Sequence, residues 1–274
     1  MATGPACPVS PLGSILLSTD GTEYSEGAIR EALTLAAKCS SKLVACLTLE
    51  AAPEYETVGS AVLQQEEEQA RRHLESVQAR AEKEGITCAT IFHEFIAPSQ
   101  ALIDEAKAHA SDMIVVGRRG YKGAELAAKV INGAPGKVLV VPRAARIAYT
   151  SLLVATDGSP HASAAVKEAI EIARICGSHL FIVSAIDDES KRRDAAGFTD
   201  AALAQAKAEG VSAESIISTG KAWEVITETA GGRAVSLIVM GAYGASGIKK
   251  FLLGSATEKV IDTAGCAVLV VKAE

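Results

Sequence analysis

The sequence predicts an α/β protein built from two tandem domains, each a five-stranded, parallel, doubly wound sheet. Three observations lead there. The stretch "ILLSTDGTEYSEGAIREALTLAAK" (15–38) returns as "LLVATDGSPHASAAVKEAIEIAR" (152–174). In each copy short runs of Leu, Ile and Val, typical of strands buried on both faces, alternate with helical periodicity. The chain's 274 residues suit two domains of about 140 each, long enough for each to bury a core.

In the first copy "SILLSTD" is a strand closing on Asp20, and the helix after it puts Ala28, Ile29, Ala32, Leu33 and Ala36 on one face. The strand "KLVACLTL" follows. Residues 51–62 read as a loop. The next helix places Leu63, Ala70, Leu74, Val77 and Ala81 at helical spacing, with a solvated charged face between them. A strand, a helix, the "VVG" strand, a last helix and the "VLVV" strand complete the unit.

The second copy repeats the order, with Val166, Ala169, Ile170 and Ala173 on its first helical face. Its charged stretch "DDESKRRDAAG" (187–197) reads as a loop that acts as a mobile lid. The division is a flexible leader (1–12), an N-terminal domain (13–142), a linker (143–150) and a C-terminal domain (151–274).

The net charge of −6 argues against a general nucleic-acid surface. The longest apolar runs fall far short of the roughly 20 residues that cross a bilayer. The N-terminus lacks the basic start and apolar run of a secretion signal. The six cysteines, Cys7, Cys39, Cys46, Cys88, Cys176 and Cys266, form no C-x-x-C pair and no zinc spacing. Cys39 and Cys176 are repeat equivalents, read as small buried hydrophobes, and no disulfide is expected. A cytoplasmic protein that binds neither nucleic acid nor membrane follows.

Chemistry concentrates in the second copy. In "ATDGS" (155–159) Asp157 closes the first strand, and it reads either as a helix cap or as a ligand-site residue. In "GAYGASGIKKFLLGSATEKV" (241–260) stand Gly241, Gly244, Gly254 and Ser255. Glycines at a strand end let backbone amides approach a phosphate, and the following helix start offers free N–H groups and a partial positive charge. Ser255 adds a hydroxyl. Lys249 and Lys250 read as solvated.

The first copy keeps Asp20, Gly117 and Gly120, but it lacks six residues between Gly120 and Lys129, inside this loop. Arg118 and Arg119 read as solvated surface residues. His73, His93, His109, His161 and His179 form no i, i+4 ligand pair. No Walker A motif or Ser–His–Asp set occurs, so at most slow hydrolysis of a bound phosphate ligand is expected. Asp157 is a candidate magnesium ligand beside phosphates.

Taken together, "ATDGS", the "VMG" strand, G-x2-G-x9-G-S and the closing "CAVLVVK" make the chain resemble a tandem universal stress protein, with only leader and linker outside the likeness. The resemblance implies a Rossmann-like sheet of the adenine nucleotide α hydrolase type and ATP, ADP or AMP bound in the C-terminal domain. It places Ala155 and Asp157 by the nucleoside, Ala185 by adenine, and Met240 and Gly241 along base and ribose. Gly244, Gly254 and Ser255 would hold phosphates. It further implies a degenerate N-terminal domain, an internal pseudo-dimer, a homodimer and a regulatory role. A nucleotide-independent scaffold is the alternative.

Overall fold

A computed structural model describes residues 7–9, 11–49, 60–94, 97–118, 123–245 and 253–273. The first half runs β1 (Ser14–Thr19), α1 (Glu26–Cys39), β2 (Lys42–Leu49), α2 (Ser60–Lys83), β3 (Cys88–Glu94), α3 (Pro98–Ala108), β4 (Met113–Arg118), α4 (Gly123–Gly133) and β5 (Lys137–Pro142). The second runs β6 (Ser151–Ala155), α5 (Pro160–Cys176), β7 (His179–Ile186), α6 (Arg192–Ala208), β8 (Ala213–Thr219), α7 (Ala222–Gly232), β9 (Leu237–Gly241), α8 (Ser255–Thr263) and β10 (Ala267–Val271).

Within each half every strand pairing is parallel, as strand–helix alternation requires. The two five-stranded sheets join into one ten-stranded sheet, ordered β3-β2-β1-β4-β5-β10-β9-β6-β7-β8. The joint is the antiparallel pair β5–β10, with Val138 opposite Val270, Leu139 opposite Leu269 and Val140 opposite Val268. Leu139 and Leu269 are equivalent residues of the two copies, so a pseudo-two-fold axis passes between them.

The core is shared more fully than two separate domains would share it. Successive strand residues face opposite sides of the sheet. Ile15, Leu17, Leu139, Leu152, Val154 and Leu269 belong to one continuous apolar layer. Leu16, Val138, Val140, Leu153, Val268 and Val270 belong to the layer on the other side. Both layers run through both halves. The predicted apolar faces of α1 and α5 are buried throughout, as are Ala70, Leu74, Val77 and Ala81 of α2. Leu63 is half-buried.

Cross-half hydrogen bonds close the seam. Arg118 Nη1 donates to the carbonyls of Ile261, Asp262 and Ala264 at 3.1, 3.1 and 2.6 Å. Lys272 Nζ donates to Ile131 at 3.1 Å and also to Ala134. Each cation thus meets carbonyls left open at the end of the other half's last helix. Arg118 is therefore not the solvated residue expected. Arg119 lies outside the described residues, as do Gly120, Lys249 and Lys250.

Other expectations change too. Residues 187–197 are not a loop: a 3-10 turn (Glu189–Lys191) leads straight into α6, so the lid reading of this segment falls. Asp188 starts that turn by accepting the Ser190 amide at 2.7 Å, a local bond that charge composition alone concealed. Residues 51–59 of the expected loop lie outside the described residues, and α2 has begun by Ser60. The linker is packed, with Ala145, Ile147 and Tyr149 buried.

Cys39 is not a free packed thiol, because it forms a disulfide with Cys7. Val9 and Leu12 are buried against the core, and Cys7 lies at the end of α1. One ground for a cytoplasmic assignment, the absence of disulfides, is thereby removed. Cys46, Cys88, Cys176 and Cys266 are free, and burial pushes the thiols of Cys46, Cys88 and Cys266 up to about 11. No helix among the described residues is long and apolar enough to cross a membrane.

The disulfide closes a sequence separation of 32, which restricts the unfolded chain. Cys7→Ser should lower stability by about 3 kcal/mol in non-reducing urea unfolding, and a non-reduced peptide map of the native chain should show the linkage.

Candidate functional site

The strand order reverses direction between β6 and β9: from β6 the chain moves out to β7, and from β9 it moves the other way to β10. Loops leaving the carboxyl ends of those two strands diverge and leave a crevice. A cavity of about 280 Å³ lies there. All eight candidate residues line it: Ala155 and Asp157 at the end of β6, Ala185 on β7, Met240 and Gly241 on β9, Gly244 in the following turn, and Gly254 and Ser255 at the start of α8.

The sequence did not signal the opposite wall. Ala222 and Ile226 of α7 supply it, with Val183 of β7 and Tyr243. Two small or branched apolar residues at a helix start carry no mark of a site, and only the sheet order brings α7 across the crevice.

Of the two readings of Asp157, the helix cap is overturned by its contacts, and the residue lines the cavity. The cap of α5 is Ser159, whose hydroxyl accepts the Ala162 amide at 3.2 Å. Asp157 Oδ1 accepts from Ser159 N at 3.0 Å, and Oδ2 accepts from Ala245 N at 2.7 Å. The carboxylate therefore ties the end of β6 to the turn after β9. A carboxylate has about four acceptor sites, so further donors or a cation can still approach it.

The glycines serve different needs. At Gly241 an added Cβ would lie 2.7 Å from the His161 carbonyl carbon and 2.9 Å from the Ala162 nitrogen. Its counterpart Gly117 would meet the Tyr24 carbonyl oxygen at 2.8 Å. In both halves the strand end touches helix-start backbone, which explains why both copies carry glycine there. At Gly244 a Cβ would lie 2.7 Å from Asp157 Oδ2. Gly254 differs: its φ is −59°, open to any residue, and among the described residues nothing approaches its Cβ position closer than 3.4 Å. The packing of the described residues does not demand a glycine there.

Gly254 is the N-cap of α8 and offers no side-chain cap. The first amides of a helix lack intrahelical acceptors and carry partial positive charge. Ser255, Ala256 and Thr257 of this turn line the cavity. The Thr257 hydroxyl donates to the Gly241 carbonyl at 2.9 Å, fixing the helix start against β9. A bare backbone, a bound helix terminus and an apolar wall together suit a ligand with a flat apolar part and an anionic part.

The N-terminal half is built differently at the equivalent place. Asp20 Oδ1 accepts from Thr22 N, Thr22 Oγ1 and Ser25 Oγ at 2.9, 2.7 and 2.6 Å, within its own turn. Only residues 119–122 separate β4 from α4, whereas residues 242–254 separate β9 from α8. Thr19 at the end of β1 hydrogen-bonds His73 Nε2 at 2.7 Å. Of the other histidines, His93 and His109 both contact Glu105, His179 contacts Ser212, and His161 accepts from Ala273 N. Among the described residues no group of three His, Cys, Asp or Glu is placed to hold a metal.

The family model described as the universal stress protein family matches residues 12–142 and again residues 148–272. The chain belongs to the universal stress protein family. It is a tandem of two such domains. It is 29% identical over 147 residues to universal stress protein YxiE of Bacillus subtilis, a match covering 45% of this chain and 99% of that protein. It is 32% identical over 136 residues to a universal stress protein of Thermus aquaticus, covering 45% of this chain and 99% of the relative. These relatives have the length of one half of this tandem chain. A universal stress protein of Archaeoglobus fulgidus shares the fold over 95% of this chain and 96% of its own, with a TM-score of 0.78 at 20% identity.

The packing separates the two ends of the glycine motif in this universal stress protein. Gly241→Ala should cost about 3 kcal/mol, because the new carbon meets backbone, whereas Gly254→Ala should stay within about 1 kcal/mol. Urea unfolding of the two variants checks both values. His73 gives a pH test. Burial lowers its pKa, partly offset by the nearby charges of Glu26 and Asp20. The unfolded imidazole takes up a proton near pH 6.5, so this contribution is complete above that pH and is lost as the pH falls through the lowered value. Stability should fall between pH 7.5 and 5.5, and His73→Gln should flatten the fall.

Proposed function

We propose that this universal stress protein binds an adenine nucleotide, ATP or its ADP and AMP relatives, in the C-terminal cavity and acts as a nucleotide-responsive regulator of the stress response. One observation carries the reading: the four residues of G-x2-G-x9-G-S, far apart along the loop, line one cavity together with the uncapped start of α8. The glycine at 254 supports it, since a position that the fold would allow to carry a side chain is kept bare where a phosphate would press against backbone amides. Ala185, Met240 and Ile226 offer the apolar surface that a base needs.

Asp157 is the residue that would hold a magnesium ion. That ion would neutralise phosphate charge. Among the described lining residues no nucleophile–base pair stands at the cavity, and binding, with at most slow hydrolysis, is the activity proposed. Bound ligand would shift the protein between states only through its differential affinity for them. A homodimer would have to form away from β5 and β10, which already pair with one another. The scaffold alternative draws on one observation: Gly241 and Asp157 already have packing or bonding roles without a ligand.

The test is calorimetric titration with ATP, after identifying by mass any nucleotide released from the purified chain on denaturation. The chain's single tryptophan, Trp223, begins α7 beside Ala222 of the cavity wall, so ATP should also change its emission. Gly254→Val combined with Ser255→Ala should weaken ATP binding at least about tenfold, equivalent to about 1.4 kcal/mol. Equal affinity in wild type and variant would remove the site assignment, and absence of binding in the wild type would favour the scaffold.

A further inference from the structure

The N-terminal half grips the anion-seat end of the C-terminal half at two points. The first is Tyr243, which stands between Gly241 and Gly244. Its phenol donates to Asn132 Oδ1 at 3.0 Å, and Asn132 belongs to the last turn of α4. On its other side the ring meets His161 edge-on, with centroids 5.0 Å apart. His161 is itself fixed by the Ala273 amide at 2.8 Å. Directly after this anchored residue, Gly244 and Ala245 turn onto Asp157. The second point is Arg118, which holds three carbonyls at the C-terminal end of α8. A cation there complements the helix dipole whose positive end forms the seat. One contact fixes the turn directly after β9 and the other fixes the far end of the helix whose start forms the seat.

The two grips differ in kind. Lys272 holds the end of α4 as Arg118 holds the end of α8, so the cation contact is made in both directions across the seam. The Tyr243–Asn132 bond is made by residues whose repeat counterparts, Arg119 and Asp262, are of other types.

We propose that the N-terminal half is the positioning element of the C-terminal ligand cavity, with Asn132 acting through Tyr243 and Arg118 acting through α8. The phosphate affinity of one half is thus set by residues of the other. This rests on the nucleotide reading above and gives the shortened domain a task.

The experiment is titration calorimetry of the full chain with ATP and with adenosine, for wild type, Asn132→Ala, Tyr243→Phe and the double variant. Losing one hydrogen bond that orders the phosphate loop should weaken ATP binding roughly fivefold. Adenosine binding should stay within about twofold, because adenosine has no phosphate to seat. The double variant should bind ATP no more weakly than Asn132→Ala alone, since Tyr243→Phe deletes a bond that Asn132→Ala has already removed. Equal weakening of both ligands would mark a general loosening and overturn the proposal. So would wild-type ATP affinity in Asn132→Ala, and that result would leave the nucleotide reading intact. If the wild type binds neither ligand, the nucleotide reading falls and amide exchange in the free chain decides. Faster exchange of the Ala245 amide in Asn132→Ala supports the positioning role, and unchanged exchange overturns it.

Discussion

The antiparallel pairing of β5 with β10 is the constraint on which the remaining architecture depends. Each half alone would end its sheet on an apolar strand with a row of open backbone groups, an arrangement that proteins cover or pair. Here each half covers the other. With Leu139 opposite Leu269, the two apolar layers become continuous, and α4 and α8 come together over one face. The bonds from Arg118 and Lys272 to the ends of the opposing helices follow from that register, as does the meeting of Tyr243 with Asn132. A slip of one residue would turn every core side chain of the seam to the other face.

The same register gives the two copies different duties. Both retain the strand-end glycine, because in both the helix start lies against it. Both retain the strand-end aspartate: Asp20 Oδ1 accepts from Thr22 and Ser25 of its own turn, while Asp157 Oδ2 accepts from Ala245 N in the turn after β9. A short connection cannot arch over a ligand, and in the first half only residues 119–122 lie between strand and helix. The half with the short connection still touches the other: Asn132 of its last helix bonds Tyr243 just after β9, and Arg118 of its fourth strand holds the end of α8.

Residues that serve two ends at once explain why glycine spacing is an ambiguous signal. Gly241 is required by the fold whether or not a ligand binds, because a Cβ there meets backbone, whereas at Gly244 it would meet only the end of the Asp157 side chain. Gly254 is the informative one, since neither its backbone angles nor its described neighbours require it. That distinction depends on distances between residues remote in sequence.

The sequence by itself determined the repeat, the strand–helix alternation, the buried faces of α1, α2 and α5, and eight of the residues that line the cavity, with Ala155, Ala185 and Met240 reached through the family resemblance. These are legible because they depend on local periodicity and on a motif whose parts flank one strand and one helix. Tertiary structure decided the rest. The Cys7–Cys39 bond, the α7 wall, the placing of Arg118 on α8 and the Tyr243–Asn132 contact each join segments with no shared local pattern. The start of α6 hid under charges that suggested a loop, because its first turn is set by the Asp188 side chain bonding to backbone. Periodicity tells which face of an element is apolar, but only the sheet order and the seam register tell which other element that face, or a cation at its edge, will meet.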